Sequence, residues 1–257
     1  MNSHPTLDEL IAEGNAAPVD GWDFSWFDGR ATEQRPPWGY HRLIAERMRA
    51  AGSVLDVQTG GAEVYAGALG SLEHPPAVVA ATESWPPNLA IARAKLEPFG
   101  GTVVEAADDA PFPFGDGTFE LVTSRHPTFH AWTEIARVLA PRGTFIGQLI
   151  GERTNSAVFE YFLGPQPINP VPQRNRLTDA VREAGLELVT LQEASTKVEF
   201  FDVAALIVFL RKVIWTVPDF TVERYRDRIA DAHELITQNG SFVSHSKRVL
   251  LEARKPA

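Results

Sequence analysis

Val54-Leu55-Asp56-Val57-Gln58-Thr59-Gly60-Gly61-Ala62-Glu63 is the stretch on which the fold turns. Its first residues read as a short buried strand, Thr59 to Gly61 as a turn of small residues, and the residues after Gly61 as a helix. Glycine in such a turn lets a ligand approach the backbone, while the N–H groups at the helix start point outward. At the carboxyl end of the first strand of an open α/β sheet, this is a nucleotide-binding position.

Strand-like and helix-like segments alternate on either side of it, the pattern of βαβ units and a parallel sheet. A helix from Trp38 to about Ala51, with apolar Tyr40, Leu43, Ile44 and Met48 on one face and Gly52 at its end, precedes the strand. Then come a helix from about Gly61 to Leu69, the strand AVVAAT, a helix from Pro86 to Phe99, and the strand TVVEA. FELVTSR is a fourth strand, Phe129 to Leu139 a crossover helix, and TFIGQLIG a fifth strand after the turn Pro141-Arg142-Gly143. FLGPQPINPVPQ, from Phe162 to Gln173, holds four prolines and reads as a loop over the site. A helix from about Leu177 to Ala184, the strand LELVTLQEA, the apolar segment FFDVAALIVFLRKVIW, a helix from about Val222 to Gln238 and the strand SFVSHSKRVLLEAR complete the chain. With no repeat or linker, residues 1–257 read as one α/β domain: N-terminal helical segment 1–51, ligand-binding core 52–150, and lid, helices and last strands 151–257.

The chain has 257 residues, 44% hydrophobic and 22% charged, enough for a large core and too apolar for disorder. It contains no cysteine, which removes disulfides, thiolate nucleophiles and Cys-held metals; HPTFH spaces two histidines across a proline, so no metal is expected. A net charge of −9 disfavours nucleic acid as the main partner, although residues 211–257 carry +3. The N-terminal sequence is acidic where a signal peptide would be basic, and no apolar run approaches the ~18 residues of a membrane span. A cytoplasmic protein, monomer or homodimer and without a membrane partner, is expected.

Acids recur at the ends of the next strands: Glu83, where a carboxylate can accept both hydroxyls of a ribose, then Asp108 and Asp109 before PFPFGDGTFELV. Taken together, LDVQTGGAE, ATES, ADDAPFPFGDGTFELV and EIARVLAPRGTFI resemble the motifs of the class I S-adenosylmethionine-dependent methyltransferases over about Ser53 to Gly147. That resemblance implies a doubly wound, mostly parallel seven-stranded sheet with a reversed last strand. S-adenosylmethionine would lie across the carboxyl ends of the strands and leave as S-adenosylhomocysteine. It also implies that Asp56, Gln58, Thr59, Gly60, Gly61 and Glu63 surround the methionine end and ribose, with Glu83 on the ribose hydroxyls. Ser84 and Trp85 would flank the adenine, Asp108 would bind its amino group beside Asp109, and Ser124 and Arg125 would complete the cofactor side, with an anionic group of the substrate or the acidic loop at Asp108 and Asp109 as the open alternatives for Arg125. Gln58 departs from the family, which usually has glycine there.

Transfer from a sulfonium is an in-line displacement with an activated electrophile, so the protein mainly aligns and desolvates, and a base is needed only for a protonated nucleophile. His126 and His130 in SRHPTFHAW are the candidate bases. Trp26 in WDFSWF, Trp38 and Tyr40 in RPPWGY, and Phe200, Arg211 and Trp215 late in the chain are candidates for binding the acceptor. The expected activity is methyl transfer to a small molecule. Alternatives are an RNA or protein acceptor, a non-catalytic cofactor-binding protein, and a nicotinamide oxidoreductase, the last disfavoured because the turn lacks G-x-G-x-x-G.

Overall fold

The structure, a computed structural model, describes residues 5–19 and 24–257. These form two compact units. The first, here the core unit, comprises Pro36–Glu152, Pro170–Ala194 and Arg248–Ala257; the second takes the described part of Met1–Arg35 with Arg153–Asn169 and Ser195–Lys247. The sequence reading expects one domain with a change of character near residue 150. It does not foresee that the chain passes between units several times, because each return is made by an ordinary-looking strand or loop.

In chain order, the second unit starts with α1 (Leu7–Ala16) and β1 (Ala31–Glu33). The core unit comes next with α2 (Tyr40–Met48), β2 (Ser53–Val57), α3 (Glu63–Gly70), β3 (Val78–Glu83), α4 (Pro86–Leu96), β4 (Thr102–Glu105), β5 (Phe119–Arg125), α5 (Trp132–Val138) and β6 (Leu139–Ile150). Then come α6 (Ser156–Leu163), α7 (Gln173–Glu183), β7 (Glu187–Phe200), α8 (Val203–Lys212), α9 (Arg226–Asn239) and β8 (Phe242–Arg254). The strand order is β7-β8-β6-β5-β2-β3-β4, with β1 added antiparallel beyond β7 through Ala31↔Phe200. β2, β3, β4, β5 and β6 are parallel, and β8 runs antiparallel to β6, in register Gly147↔Leu251. The doubly wound sheet with a reversed last strand is therefore present, with β1 as an additional edge.

The central strands β2, β3 and β5 are buried on both faces, so they read as continuous apolar runs and not as alternating ones. The pleat sorts their side chains into two layers. Leu55, Val122, Phe145 and Leu251 pack with Trp132, Ile135 and Val138 of α5 and Leu177 and Val181 of α7. Their neighbours Val54, Leu121, Ile146 and Leu250 pack with Ile44 and Met48 of α2, Tyr65 and Leu69 of α3, and Leu89 and Leu96 of α4. With the faces filled, polar groups in quantity can gather only where strands end. The second unit has its own core, from Leu10 and Ile11 of α1, Phe162 of α6, Leu206 and Ile207 of α8, and Ile229 and Ile236 of α9. Gly14 makes that packing possible, since a Cβ there would lie 3.0 Å from two Ile207 side-chain atoms. Among the described residues no helix is long and apolar enough to cross a membrane.

Several boundaries differ from the sequence reading for local reasons. α7 begins at Gln173, directly after Pro172, because its polar first turn carries no apolar signal before Leu177. α5 begins only at Trp132; the left-handed backbone of His126 (φ 57°) and Pro127 hold the preceding residues in a loop. β7 continues past Ala194 to Phe200, with Thr196, Val198 and Phe200 inward on alternate positions. β6 extends back through Pro141-Arg142-Gly143 to Leu139, across a register shift against β5.

Tyr40, expected against the acceptor, sits in the core unit's interior. Its hydroxyl donates to the Ser124 carbonyl at 2.9 Å and lies 3.2 Å from that of Ile146. Tyr40→Phe should lower the stability of the folded protein by about 1 kcal/mol in urea titrations. An unchanged midpoint would remove this hydroxyl from the account of how β5 and β6 are tied together.

Candidate functional site

The carboxyl ends of β2, β3, β4 and β5 and the loops that leave them build one polar cradle. β2 ends in a turn whose backbone enters the left-handed region at Gln58 (φ 55°), Gly60 (φ 61°) and Ala62 (φ 60°). Gly60 adopts this freely; for Gln58 it costs about 1 kcal/mol. The turn is pinned to β3, with the Gln58 and Thr59 amides donating to Thr82 Oγ1 (3.2 Å) and the Thr82 carbonyl (2.9 Å). Gly61 must lack a side chain unless Glu63 moves, because a Cβ would collide with the Glu63 carboxylate, which pairs with Lys95 at 2.7 Å.

Glu83, at the end of β3 and only 6% exposed, organises this turn. Its Oε2 accepts the Gly60 N–H at 2.7 Å, and its Oε1 accepts the amides of Ser84 (3.0 Å) and Trp85 (2.8 Å). Three donors use three of the carboxylate's roughly four lone-pair sites, leaving one acceptor site on Oε2. Beyond β4, Asp108 receives the Thr128 hydroxyl on Oδ2 at 2.5 Å. Its other oxygen, Oδ1, is buried without a protein partner, whereas the buried Thr59 hydroxyl faces the Asp56 carboxyl and opposes its upward shift. A polar atom placed like Asp108 Oδ1 normally has a partner, so it marks a place where a ligand group is wanted.

Gln58 spans the cradle. Its Nε2 donates to the Phe129 carbonyl at 2.7 Å, and its Oε1 accepts the Thr128 amide (2.7 Å) and lies 3.1 Å from the Thr128 hydroxyl. Trp85 is substantially exposed beside Ser84, as a stacking surface would be. Asp109 lies elsewhere on this rim, with Phe129, His130, Trp132 and Glu134 around a shallow cavity of about 370 Å³.

Below the turn, burial pushes the Asp56 carboxyl up to about 6, against the opposing hydrogen bond from Thr123 Oγ1 at 2.6 Å. The Ser124 hydroxyl is committed to the Val57 carbonyl at 2.8 Å and ties β5 to β2. Arg125 is exposed at the strand end. His126 has its backbone N–H on the Gln148 carbonyl (2.7 Å) and its Nε2 3.0 Å from the Gln148 Nε2. Since the amide nitrogen can only donate, that imidazole nitrogen accepts. Burial, helped by Arg125 and Arg248, pushes His126 down to about 2. Burial also lowers His130, whose ring stacks on Trp132 with centroids 5.6 Å apart. Both histidines are neutral near pH 7; the His126 lone pair is engaged, which suits a fixed wall better than a proton acceptor, whereas His130 Nε2 is buried without a partner. Trp38 completes this wall, donating to Gln148 Oε1 at 2.7 Å.

The remaining candidates lie in the second unit. Trp26 carries the Arg30 guanidinium 4.4 Å above its ring. Phe200 is fully packed in that unit's core. Arg211 donates to the Gly14 (2.7 Å) and Ala17 (3.0 Å) carbonyls, holding the end of α1, and with the exposed Trp215 it lines a cavity of about 600 Å³. The start of WDFSWF, Trp22 and Asp23, lies outside the described residues.

Sequence reasoning passes over Thr82, Thr123, Thr128 and Gln148, which supply most of the connecting hydrogen bonds. The available signal is polarity inside apolar strands, as with the single amide in TFIGQLIG.

Residues 55–147 match the family model of the methyltransferase domain. Over this segment the chain is similar to that family. No curated protein matches the chain by sequence. Among solved structures, a candidate methyltransferase from Bacillus halodurans aligns at 21% identity with a TM-score of 0.57, over 85% of this chain and 100% of its own. YcgJ from Bacillus subtilis aligns at 14% with a TM-score of 0.58, over 84% and 98%. The (4+2)-cyclase SpnF aligns at 15% with a TM-score of 0.54, over 98% of each chain. At these identities the likeness is one of fold. The methyl donor of the methyltransferase-domain family is S-adenosylmethionine, and the residues fit such a group: an orphaned carboxylate oxygen of Asp108 and a spare acceptor site on Glu83 follow adjacent strands.

The elevated Asp56 has a measurable signature. The folded state keeps this proton up to about pH 6, whereas the unfolded chain releases it near 3.8, so stability falls as pH rises between those values. Asp56→Asn removes that term. The stability of the wild type relative to the variant should drop by about 2 kcal/mol from pH 4 to pH 7 in denaturant titrations. Parallel profiles for the two proteins would contradict the assignment.

Proposed function

We propose that this protein binds S-adenosylmethionine at the carboxyl ends of β2, β3 and β4 and transfers its methyl group to a small-molecule acceptor. The observation that carries the reading is the buried, unpartnered Asp108 Oδ1 after β4, together with a buried carboxylate at the end of β3, Glu83, that has one acceptor site left. Glu83 would take a ribose hydroxyl, Asp108 Oδ1 the adenine amino group, and Trp85 and Ser84 the adenine edge. Thr59, Gly60, Gly61 and Asp56 would lie at the methionine end. The cofactor supplies a methyl group already activated on a sulfonium.

What the chain itself contributes is placement and exclusion of water. Burial makes His126 and His130 weak bases, and the His126 ring nitrogen is already engaged, which favours an acceptor whose nucleophile needs no proton removed, such as a carboxylate or an imidazole-type nitrogen. Exposed Arg125, beside His126, suits an anionic acceptor of this kind. The charge of −9 counts against RNA.

Calorimetric titration with S-adenosylmethionine and S-adenosylhomocysteine should show binding of both, weakened about 100-fold by Glu83→Ala. No binding to the folded wild type would leave the fold without this function. Retention on immobilised RNA at low salt would replace the small-molecule acceptor.

A further inference from the structure

We infer that Gln58 is a positioning residue that, through Thr128, sets the Asp108 carboxylate and so determines recognition of the adenine amino group. The inference rests on the proposed cofactor reading. Its starting point is a conflict: Gln58 holds a backbone conformation that suits glycine, yet its side chain is fully used. Both ends of the amide are bound to one segment, Nε2 to the Phe129 carbonyl at 2.7 Å and Oε1 to the Thr128 amide at 2.7 Å.

Thr128 passes the constraint on. Its hydroxyl lies 3.1 Å from Gln58 Oε1 and 2.5 Å from Asp108 Oδ2. A hydroxyl has one proton, and the shorter contact to a carboxylate is the stronger claim on it. The Gln58 bonds to the Thr128 amide and the Phe129 carbonyl fix the backbone from which that hydroxyl projects. Asp108 is thereby clamped by one oxygen while Oδ1 stays buried and unpartnered, the state in which a carboxylate can accept an amino N–H. Residue 58, on the first turn, thus controls a recognition group on a loop two strands away in the sheet, and does so without touching the ligand's amino group itself.

The test compares S-adenosylhomocysteine with its deaminated analogue, in which a carbonyl replaces the adenine amino group, by calorimetry on the wild type, Gln58→Gly, Thr128→Val, Thr128→Ser and the Gln58→Gly/Thr128→Val double variant. Glycine suits the backbone at residue 58, so Gln58→Gly will fold. Gln58→Gly and Thr128→Val should each lower the preference for the amino form by about tenfold, with the double variant losing no more than one single and Thr128→Ser retaining the preference. In ligand-free protein, Gln58→Gly should also speed hydrogen exchange at the Thr128 amide. Tighter or equal S-adenosylhomocysteine binding by Gln58→Gly, or an unchanged preference, overturns the inference while leaving the cofactor reading intact. A wild type that binds neither compound overturns both.

Discussion

One buried carboxylate at the end of a strand holds the cradle together. Glu83 gathers the amides of Gly60, Ser84 and Trp85, and so joins the turn after β2 to the turn after β3. A carboxylate 6% exposed needs such donors, because leaving its charge unsatisfied in the interior would cost several kcal/mol. The same bonds fix the direction in which the glycine turn presents its backbone. Everything else in the cradle is arranged around this joint: Thr82 pins the turn from beneath, and Gln58 anchors it across to the segment after β5.

The electrostatics are set by where the sheet allows polarity. Both faces of the central strands are covered, so the polar groups crowd together at the carboxyl ends, half out of water. Desolvation then acts on each according to its charge: it raises Asp56 and lowers His126 and His130. The outcome is a site with two uncharged histidines near pH 7, an Asp56 that titrates close to neutrality, Glu83 as a multiply hydrogen-bonded carboxylate and Arg125 exposed at the end of β5.

Much of this is legible in the sequence. The run of strands and crossover helices is carried by apolar periodicity, and the glycine turn with acids after successive strands marks the cradle. The connections are less legible. Thr128 and Gln148 act through bonds to residues 20 or more positions away, and no local pattern announces such partners. Tyr40 and Phe200 illustrate the opposite difficulty, since an aromatic residue reads alike whether it lines a pocket or fills a core. The division into two units is hidden for a related reason. β7 and β8 each serve both, and a strand that continues across a boundary leaves no break in its pattern. Gln58 is visible as a departure from glycine, but whether its side chain obstructs or organises the turn depends on partners 70 residues on.

A crystal structure of the protein with S-adenosylhomocysteine tests the central claim most directly, that the carboxyl ends of β2, β3 and β4 form a preset cofactor cradle. The account predicts a ribose hydroxyl on Glu83 and the adenine amino group on Asp108 Oδ1, with the bonds between Gln58 and the Thr128–Phe129 segment unbroken. A ligand bound away from these strand ends, or one that enters only after Gln58 has swung out and Asp108 has turned, would contradict it.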